Sequence, residues 1–464
     1  MTQIHFSNFP LRPEILTNLE NLGYLKMTPI QEQSLGPVLK GQDILAQAKT
    51  GSGKTASFGI GLISKLKSDK KAPQAMVLCP TRELADQVAK EIRKLARMLS
   101  NIKVLNLSGG TPIGPQVASL EHGAHCIVGT PGRISDHLQR RTLNLRNVKT
   151  LVLDEADRML DMGFLDVIKK IVTYTPSYRQ TLLYSATYPE DIVGLSSHLQ
   201  KDPVVIKVED TNTENNIEEH FVSVAPDKKD QLVADILAHH SPASTVIFCN
   251  TKLKCQELAS YLYSKGYLAG AIHGDLDQYE RDQVLTLFAN KSLSVLVATD
   301  VAARGIDIDD LKAVINYEVT RDPQVHVHRI GRTGRAGKKG QAFSLVSPKE
   351  SFRVDNIAEI RKESISLAQA KDLLTGSPKK LTPSMASIRI SGGKKNKLRP
   401  TDILGALTKQ GKLHGNEVGK INIFDFYSVV AISRKKVDSA LNALADGKIK
   451  GRFFKVRKVS LKDL

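Results

Sequence analysis

Short apolar, β-branched runs alternate with longer amphipathic stretches from Asp43 to about Val208: DILAQ, AMVLCP, KVLNL, HCIVGT, KTLVLDEA and QTLLYSAT. Strand and helix patterns in this alternation predict a parallel sheet with helices on both faces. The polar segment VEDTNTENN at 208–216 interrupts it, and the alternation then resumes with HFVSV, STVIFCN, LAGAIHG, SVLVATD, AVINYE and GQAFSLVS. A second break, SPKKLTPSM at 377–385, carries two prolines. Beyond it, SIRIS, a helical pattern near 401–410, GKINIFDF, SVVAIS, another helical pattern near 434–446 and RFFKVRKVS predict a small βαββαβ domain. The expected organisation is an α/β domain over 1–208, a second over 209–376, a linker at 377–386 and an α+β domain over 387–464. The two α/β halves share a pattern but little sequence.

A chain of 464 residues has room for two to four domains, each able to bury a core without disulfides or metal. Hydrophobic content of 41% and charged content of 25% are those of a globular chain, and no apolar run is long enough to predict a membrane span. The opening MTQIHFSNFPLRP has neither a basic start nor an apolar core, so a cytoplasmic protein is expected. Cys79, Cys126, Cys249 and Cys255 form no CxxC pair and read as buried thiols. Net charge changes the picture more. Of the total of +18, residues 387–464 carry +12 and the preceding 386 residues only +6, which predicts a basic tail domain and a nucleic-acid partner.

The candidate chemistry begins at AKTGSGKT, which follows a predicted strand and opens a predicted helix. Ala48, Lys49, Thr50, Gly51, Ser52, Gly53, Lys54 and Thr55 form a phosphate cradle. The glycines let backbone amides turn toward phosphate oxygens, Lys54 reaches the β and γ phosphates, and Thr55 helps hold Mg²⁺. Ala48 stands where the general pattern has its first glycine. Such a loop needs an acidic partner that positions Mg²⁺ and a water. At the end of the strand LVL, Asp154 is the expected Mg²⁺ ligand and Glu155 the base that orients the water, so ATP and Mg²⁺ are the expected cofactors.

Asp154, Glu155, Ala156 and Asp157 spell DEAD, and with the motifs around them the chain resembles the DEAD-box RNA helicases. The resemblance implies two tandem RecA-like parallel-sheet domains followed by an RRM-like α+β domain. It implies that Phe6 and Gln31, within Phe6 and Thr28-Pro29-Ile30-Gln31, contact adenine, and that Ser185 and Thr187 of Ser-Ala-Thr join Asp157 in coupling hydrolysis to strand separation. RNA contacts are implied at Thr81, Arg82, Gly110, Thr130 and Arg133 in the first domain and at Gln278, Arg281, Thr299 and Asp300 in the second. Asp307 is similar to the acid that binds the ribose. His328 is implied to order the water, and Arg332 and Arg335 to act as arginine fingers on one side of a short helical turn. Since the cradle and the fingers lie in different domains, closure is the expected switch, and ATP and RNA each favour binding of the other.

The segment from LRPTDIL to RFFKVRKV resembles the C-terminal domain of the DbpA subfamily, which implies an RNA-recognition-motif fold and a hairpin of large-subunit ribosomal RNA as partner during subunit assembly. The third strand of the tail, YSVVAIS, departs from the aromatic sheet signature of that fold, so Lys394, Lys395, Lys397, Arg399, Arg434, Lys435 and Lys436 are the expected RNA contacts. No membrane and no obligate protein partner is expected. Two rival readings are an RNA clamp that holds ATP without turnover and a ribosome-binding protein with a vestigial body; release of phosphate in the presence of RNA separates them.

Overall fold

Fourteen of the strands found in the computed structural model run through two parallel sheets, and the remaining four build an antiparallel one. The structure describes residues 4–48, 51–188, 190–208, 216–303, 311–334, 338–374 and 377–460. Lys49, Thr50, Asp307 and Arg335, and the 209–215 part of the first expected linker, lie outside them. The chain divides into two compact units, the second beginning at Asn212 and including the tail domain.

In the first unit the strands are β1 (Ile44–Gln47), β2 (Ala75–Leu78), β3 (Val104–Leu107), β4 (Cys126–Gly129), β5 (Thr150–Leu153), β6 (Gln180–Ser185) and β7 (Val204–Lys207). They lie in the order β3-β4-β2-β5-β6-β1-β7, with every pairing parallel. The apolar runs are continuous rather than alternating because helices cover both faces. One face packs Ile44, Val77 and Val152 against Phe58 and Ile60; the other packs Leu45, Leu78 and Leu151 against Met159 and Ile168. β5, β6 and β1 are neighbours, so the loops that leave their C-terminal ends meet. Ligands collect at such ends in doubly wound sheets.

The second unit repeats the plan with β8 (Ile217–Ser223), β9 (Thr245–Cys249), β10 (Ala269–Ile272), β11 (Val295–Thr299), β12 (Ala313–Asn316), β13 (Gly340–Val346) and β14 (Leu367–Gln369), in the order β10-β11-β9-β12-β13-β8-β14. Two strands escaped the sequence pattern, β7 and β14. Both sit at sheet edges and are short; β14 (LAQ) carries little apolar signal, whereas VVIK of β7 is an apolar, β-branched run that the pattern did offer.

The tail forms β15 (Met385–Ile390), the helix Pro400–Lys409, β16 (Val418–Ile423), β17 (Ser428–Ser433), the helix Val437–Asp446 and β18 (Val456–Lys458), with antiparallel order β16-β17-β15-β18. Ile388, Ile390, Val430 and Ile432 face Ile403, Leu407, Val437 and Leu444 of the two helices. The opposite face of the sheet packs against the helix Gln278–Ala289 of the second α/β domain. There the Arg389 guanidinium lies 4.2 Å from the Tyr427 ring centre and touches the Tyr279 hydroxyl, and the Tyr279 and Tyr427 rings meet edge to face at 5.8 Å. The Ser292 and Ser387 hydroxyls are 2.8 Å apart in the same buried contact. The expected linker is anchored as well. Leu381 is buried in the second α/β core, the Lys379 N–H donates to Ala238 O at 2.8 Å, and β15 starts at Met385.

Candidate nucleotide and RNA site

The cradle follows β1. Gly51 and Gly53 have φ of 86° and 96°, the left-handed region that admits glycine readily. Gly53 caps the helix Lys54–Lys65, and a Cβ there would stand 2.6 Å from Gln31 Nε2 and 2.8 Å from Thr28 Oγ1. Glycine is thus required both by conformation and by the close approach of the Thr28–Gln31 segment. Lys54 is buried and its Nζ donates to Ala48 O at 2.8 Å, while the Ala48 N–H donates to Ser185 O at 3.0 Å. Position 48 acts through its backbone, which explains how alanine serves where the general pattern has glycine.

Gln31 Oε1 accepts from the Thr28 N–H at 3.0 Å, and its Nε2 donates to Gly53 O at 3.2 Å. Its amide therefore ties the head of the helix Pro29–Lys40 to the cradle. Phe6 is buried, with its ring edge-on to Tyr24 at 6.2 Å.

Asp154 and Glu155 leave β5, and both are nearly excluded from solvent. Burial pushes the Asp154 carboxyl up to about 6, with Lys54 opposing and Glu155 reinforcing the shift. Among the described residues its one hydrogen-bond donor is the Glu155 N–H, 3.1 Å from Oδ1. A desolvated carboxylate with an oxygen to spare, within electrostatic reach of Lys54, suits a hard cation. Among the described residues no three His, Cys, Asp or Glu side chains could hold a metal by themselves. Mg²⁺ takes one or two protein carboxylates and completes its shell with phosphate and water, so a single carboxylate such as Asp154 is enough for it.

The raised value has a consequence for stability. The folded state holds this proton more tightly than the unfolded chain, so the charged form carries a penalty that is full above about pH 6 and disappears toward the ordinary value of 3.8. In EDTA, Asp154→Asn is expected to stabilise the first unit at pH 7.5 by up to about 3 kcal/mol, with the gain shrinking below pH 6. Thermal unfolding of both proteins across pH checks this; an equal or lower midpoint for the variant at pH 7.5 contradicts it.

Asp157 is placed differently from its neighbours. Its Oδ2 accepts from the Ala186 N–H, the Thr187 N–H and the Thr187 hydroxyl at 3.0, 3.0 and 3.1 Å. Burial raises its carboxyl, but the Thr187 N–H bond and Lys54 outweigh that and hold it below the usual range. The loop after β6 is thereby bound to the acidic run. Ser185 Oγ is buried with no hydrogen-bond partner among the described residues.

On the same edge of the sheet, loops after β2, β3 and β4 bring the other first-unit candidates together. Thr81 caps the helix Arg82–Leu95, accepting from the Leu84 N–H at 3.3 Å. Arg82 is exposed and lies along Gly109, where a Cβ would stand 3.3 Å from its Nε, and Gly110 has φ of 80°. Thr130 precedes the helix Pro131–Gln139. Arg133 donates to Gln116 Oε1 at 3.0 Å and Thr111 O at 2.9 Å, so it shapes the Gly109–Gly110 loop.

In the second unit, Gln278 and Arg281 occupy the first turn of the helix Gln278–Ala289. Gln278 Nε2 donates to Asp282 Oδ1 at 2.9 Å, and Arg281 Nη2 to Ala302 O at 2.8 Å. Thr299 is buried at the end of β11, and Asp300 follows it. Asp300 receives both 2.7 Å bonds of a forked pair from Arg329, which also donates to Asn316 Oδ1, Glu318 O and Asn250 Oδ1. All five donors of this buried guanidinium are used, tying together the C-terminal ends of β9, β11 and β12. The sequence did not single out Arg329, because nothing in a run of basic residues tells an inward arginine from an outward one. The helix Pro323–Ile330 carries His328 half-buried and ends before Arg332, which lies in the following turn instead of on a helical face.

Family models match the chain in three places: a DEAD/DEAH box helicase domain at residues 28–194, a helicase conserved C-terminal domain at 228–337 and a DbpA RNA binding domain at 387–458. The ATP-dependent RNA helicase DbpA of Escherichia coli (strain K12) is 49% identical over 447 residues, covering 96% of this chain and 97% of that protein. The chain belongs to the DbpA group of DEAD-box ATP-dependent RNA helicases. The Bacillus subtilis (strain 168) DbpA is 37% identical over 98% of this chain and 99% of its own length. Among solved structures, S. cerevisiae Dbp5 bound to RNA and ADP BeF3 has a TM-score of 0.72 at 28% identity, covering 80% of this chain and 99% of that one. The protein is accordingly an RNA-dependent ATPase that uses ATP, and no helix among its described residues is long and apolar enough to cross a membrane.

In the tail of this helicase the basic candidates separate. Lys394, Lys395, Lys397 and Arg399 are exposed on the turns before the helix Pro400–Lys409, and Lys435 and Lys436 are exposed at the head of the other helix. Arg434 is turned inward, donating to Pro383 O and Met385 O at 2.6 Å each. Burial pulls its guanidinium below its ordinary value. Sequence alone does not single out Phe426 and Phe453, which are 72% and 63% exposed. Phe426 stands in the β16–β17 turn, whose Phe424 and Asp425 carbonyls accept from the Lys394 and Lys395 N–H groups. Three aromatic residues within the four-residue turn Phe424–Tyr427 were the available signal.

Proposed function

We propose that this helicase acts on structured large-subunit ribosomal RNA during assembly of the large ribosomal subunit, in the cytoplasm, with the tail domain selecting a hairpin. The observation that carries the reading is the joining of a basic tail to the two helicase domains. The exposed Lys394, Lys395, Lys397, Arg399, Lys435 and Lys436 can neutralise RNA phosphates, and Phe426 beside them offers a ring on which a base can stack. Match of the tail to the DbpA RNA binding domain supports the same reading.

In the body, Lys54 and the amides of residues 49–55 grip the phosphates, and Asp154 with Thr55 would hold Mg²⁺. That ion, when bound, neutralises charge on the β and γ phosphate oxygens. Glu155 orients the attacking water and accepts its proton, and Asp157 transmits the state of the acidic run to the loop bearing Thr187. Phe6 and Gln31 serve adenine, Asp307 the ribose, and His328, Arg332 and Arg335 the transferring phosphoryl group. Thr81, Arg82, Gly110, Thr130 and Arg133, with Gln278, Arg281, Thr299 and Asp300, grip the RNA backbone; Arg133 and Asp300 do so partly by shaping the loops around them. Since the groups are split between the two units, neither unit alone hydrolyses ATP efficiently.

Phosphate release tests the reading. Ribosomal RNA containing the hairpin is expected to stimulate hydrolysis at least about tenfold more than an unrelated RNA of equal length. Single-stranded DNA is expected to stimulate weakly, because a backbone grip senses the 2′-hydroxyl. Equal stimulation by both RNAs would remove the ribosomal assignment, and DNA equal to RNA would remove the backbone-grip assignment.

A further inference from the structure

Arg158, directly after the acidic run, has no part in the chemistry above, yet it touches that run twice. Its Nη1 lies 3.0 Å from Glu155 Oε2, and its N–H donates to Asp157 Oδ1 at 3.0 Å. The two paired side chains are only 8% and 5% exposed. A surface pair three residues apart on a helix would be a minor stabilising contact, but a pair removed from water is held in one geometry and screened little. Glu155 needs such holding. Its backbone is left-handed, with φ of 52° and ψ of 53°, a conformation that a residue with a Cβ keeps only when its surroundings impose it. The carboxylate leaves this strained position on flexible torsions, so the backbone alone does not fix where its oxygens stand.

We propose that Arg158 is a positioning residue for Glu155: its guanidinium fixes the rotamer from which Glu155 orients the water. Arginine suits this role because its planar fork is preorganised and always charged, whereas lysine offers a flexible point charge. The inference rests on the reading of Glu155 as the acid that orients the water.

The test uses the full chain with saturating ribosomal RNA. Arg158→Ala is expected to lower kcat about tenfold or more while the KM for ATP stays within about twofold, because phosphate binding does not involve the pair. Arg158→Lys is expected to recover part of the loss. In a Glu155→Gln background, where the ion pair no longer exists, Arg158→Ala is expected to add nothing to the loss seen in single-turnover hydrolysis. An unchanged kcat in Arg158→Ala, a rise in KM that accounts for the whole effect, or a further tenfold loss in the double variant would each overturn the proposal. Thermal unfolding monitors folding. If Arg158→Ala does not fold, the kcat and KM of Arg158→Lys decide, a selective fall in kcat supporting the role and wild-type kinetics refuting it. Normal turnover in Glu155→Gln alone would sink the underlying reading, whereas an inactive Glu155→Gln beside a fully active Arg158→Ala would sink only this inference.

Discussion

Glu155→Gln is expected to lower RNA-stimulated hydrolysis by about 10²–10⁴-fold, the range for loss of a positioned general base, while ATP-dependent RNA binding persists. The substitution keeps the shape of the side chain and removes its capacity to take a proton. Lys54, Asp154 and the Asp157–Thr187 contacts remain, so the groups proposed to bind ATP and report its presence are intact. The variant should therefore accumulate on RNA in the presence of ATP. Phosphate release and RNA binding measured with and without ATP give the two halves of the result. Turnover within twofold of the parent protein would show that another group activates the water.

A chain ending at Gly376 is expected to lose its preference for the ribosomal hairpin, by at least about tenfold relative to unrelated RNA, and to keep part of its RNA-dependent ATPase. The loss follows from chemistry: the contacts proposed for the body are of the backbone type and carry no sequence information. Only part of the activity survives because the truncation also uncovers the surface that the tail packs against. Arg389, Tyr427 and Ser387 would no longer pack against Tyr279 and Ser292, and Leu381 would leave the second α/β core. Tyr279 stands between Gln278 and Arg281, so the exposed helix is the one whose first turn is assigned to RNA. A competition binding assay in which the truncated chain still prefers the hairpin would contradict the assignment of selectivity to the tail.

Several features of the site were legible because they depend on local chemistry. Gly51 and Gly53 announced a backbone that only glycine adopts readily at that density, and Asp154 with Glu155 after an apolar strand announced a strand-end acidic pair. The apolar runs were equally plain where strands lie inside a sheet. The same rules failed at β14, a three-residue edge strand with one large apolar side chain, and at the last tail strand, where RFFKVRKVS yields only Val456–Lys458; VVIK of β7 obeys them. They also failed to separate charged side chains by role. Arg82, Arg133, Arg329 and Arg434 are alike in a sequence; one is exposed along Gly109, and the others are turned to shape a loop, to tie three strand ends together and to anchor a linker.

The sequence by itself determined the order and kind of most elements, the two parallel α/β domains with their basic tail, and the candidates for holding phosphate, cation and water, because periodicity, glycine and charge act over a few neighbouring positions. Only the tertiary structure decided which of those residues face one another. It bound Asp157 to Thr187, Gln31 to Gly53, Glu155 to Arg158 and the tail sheet to the helix Gln278–Ala289. The physical reason is that a charged or polar group removed from water must find its partner wherever the fold brings one, and that partner is set by which strands become neighbours.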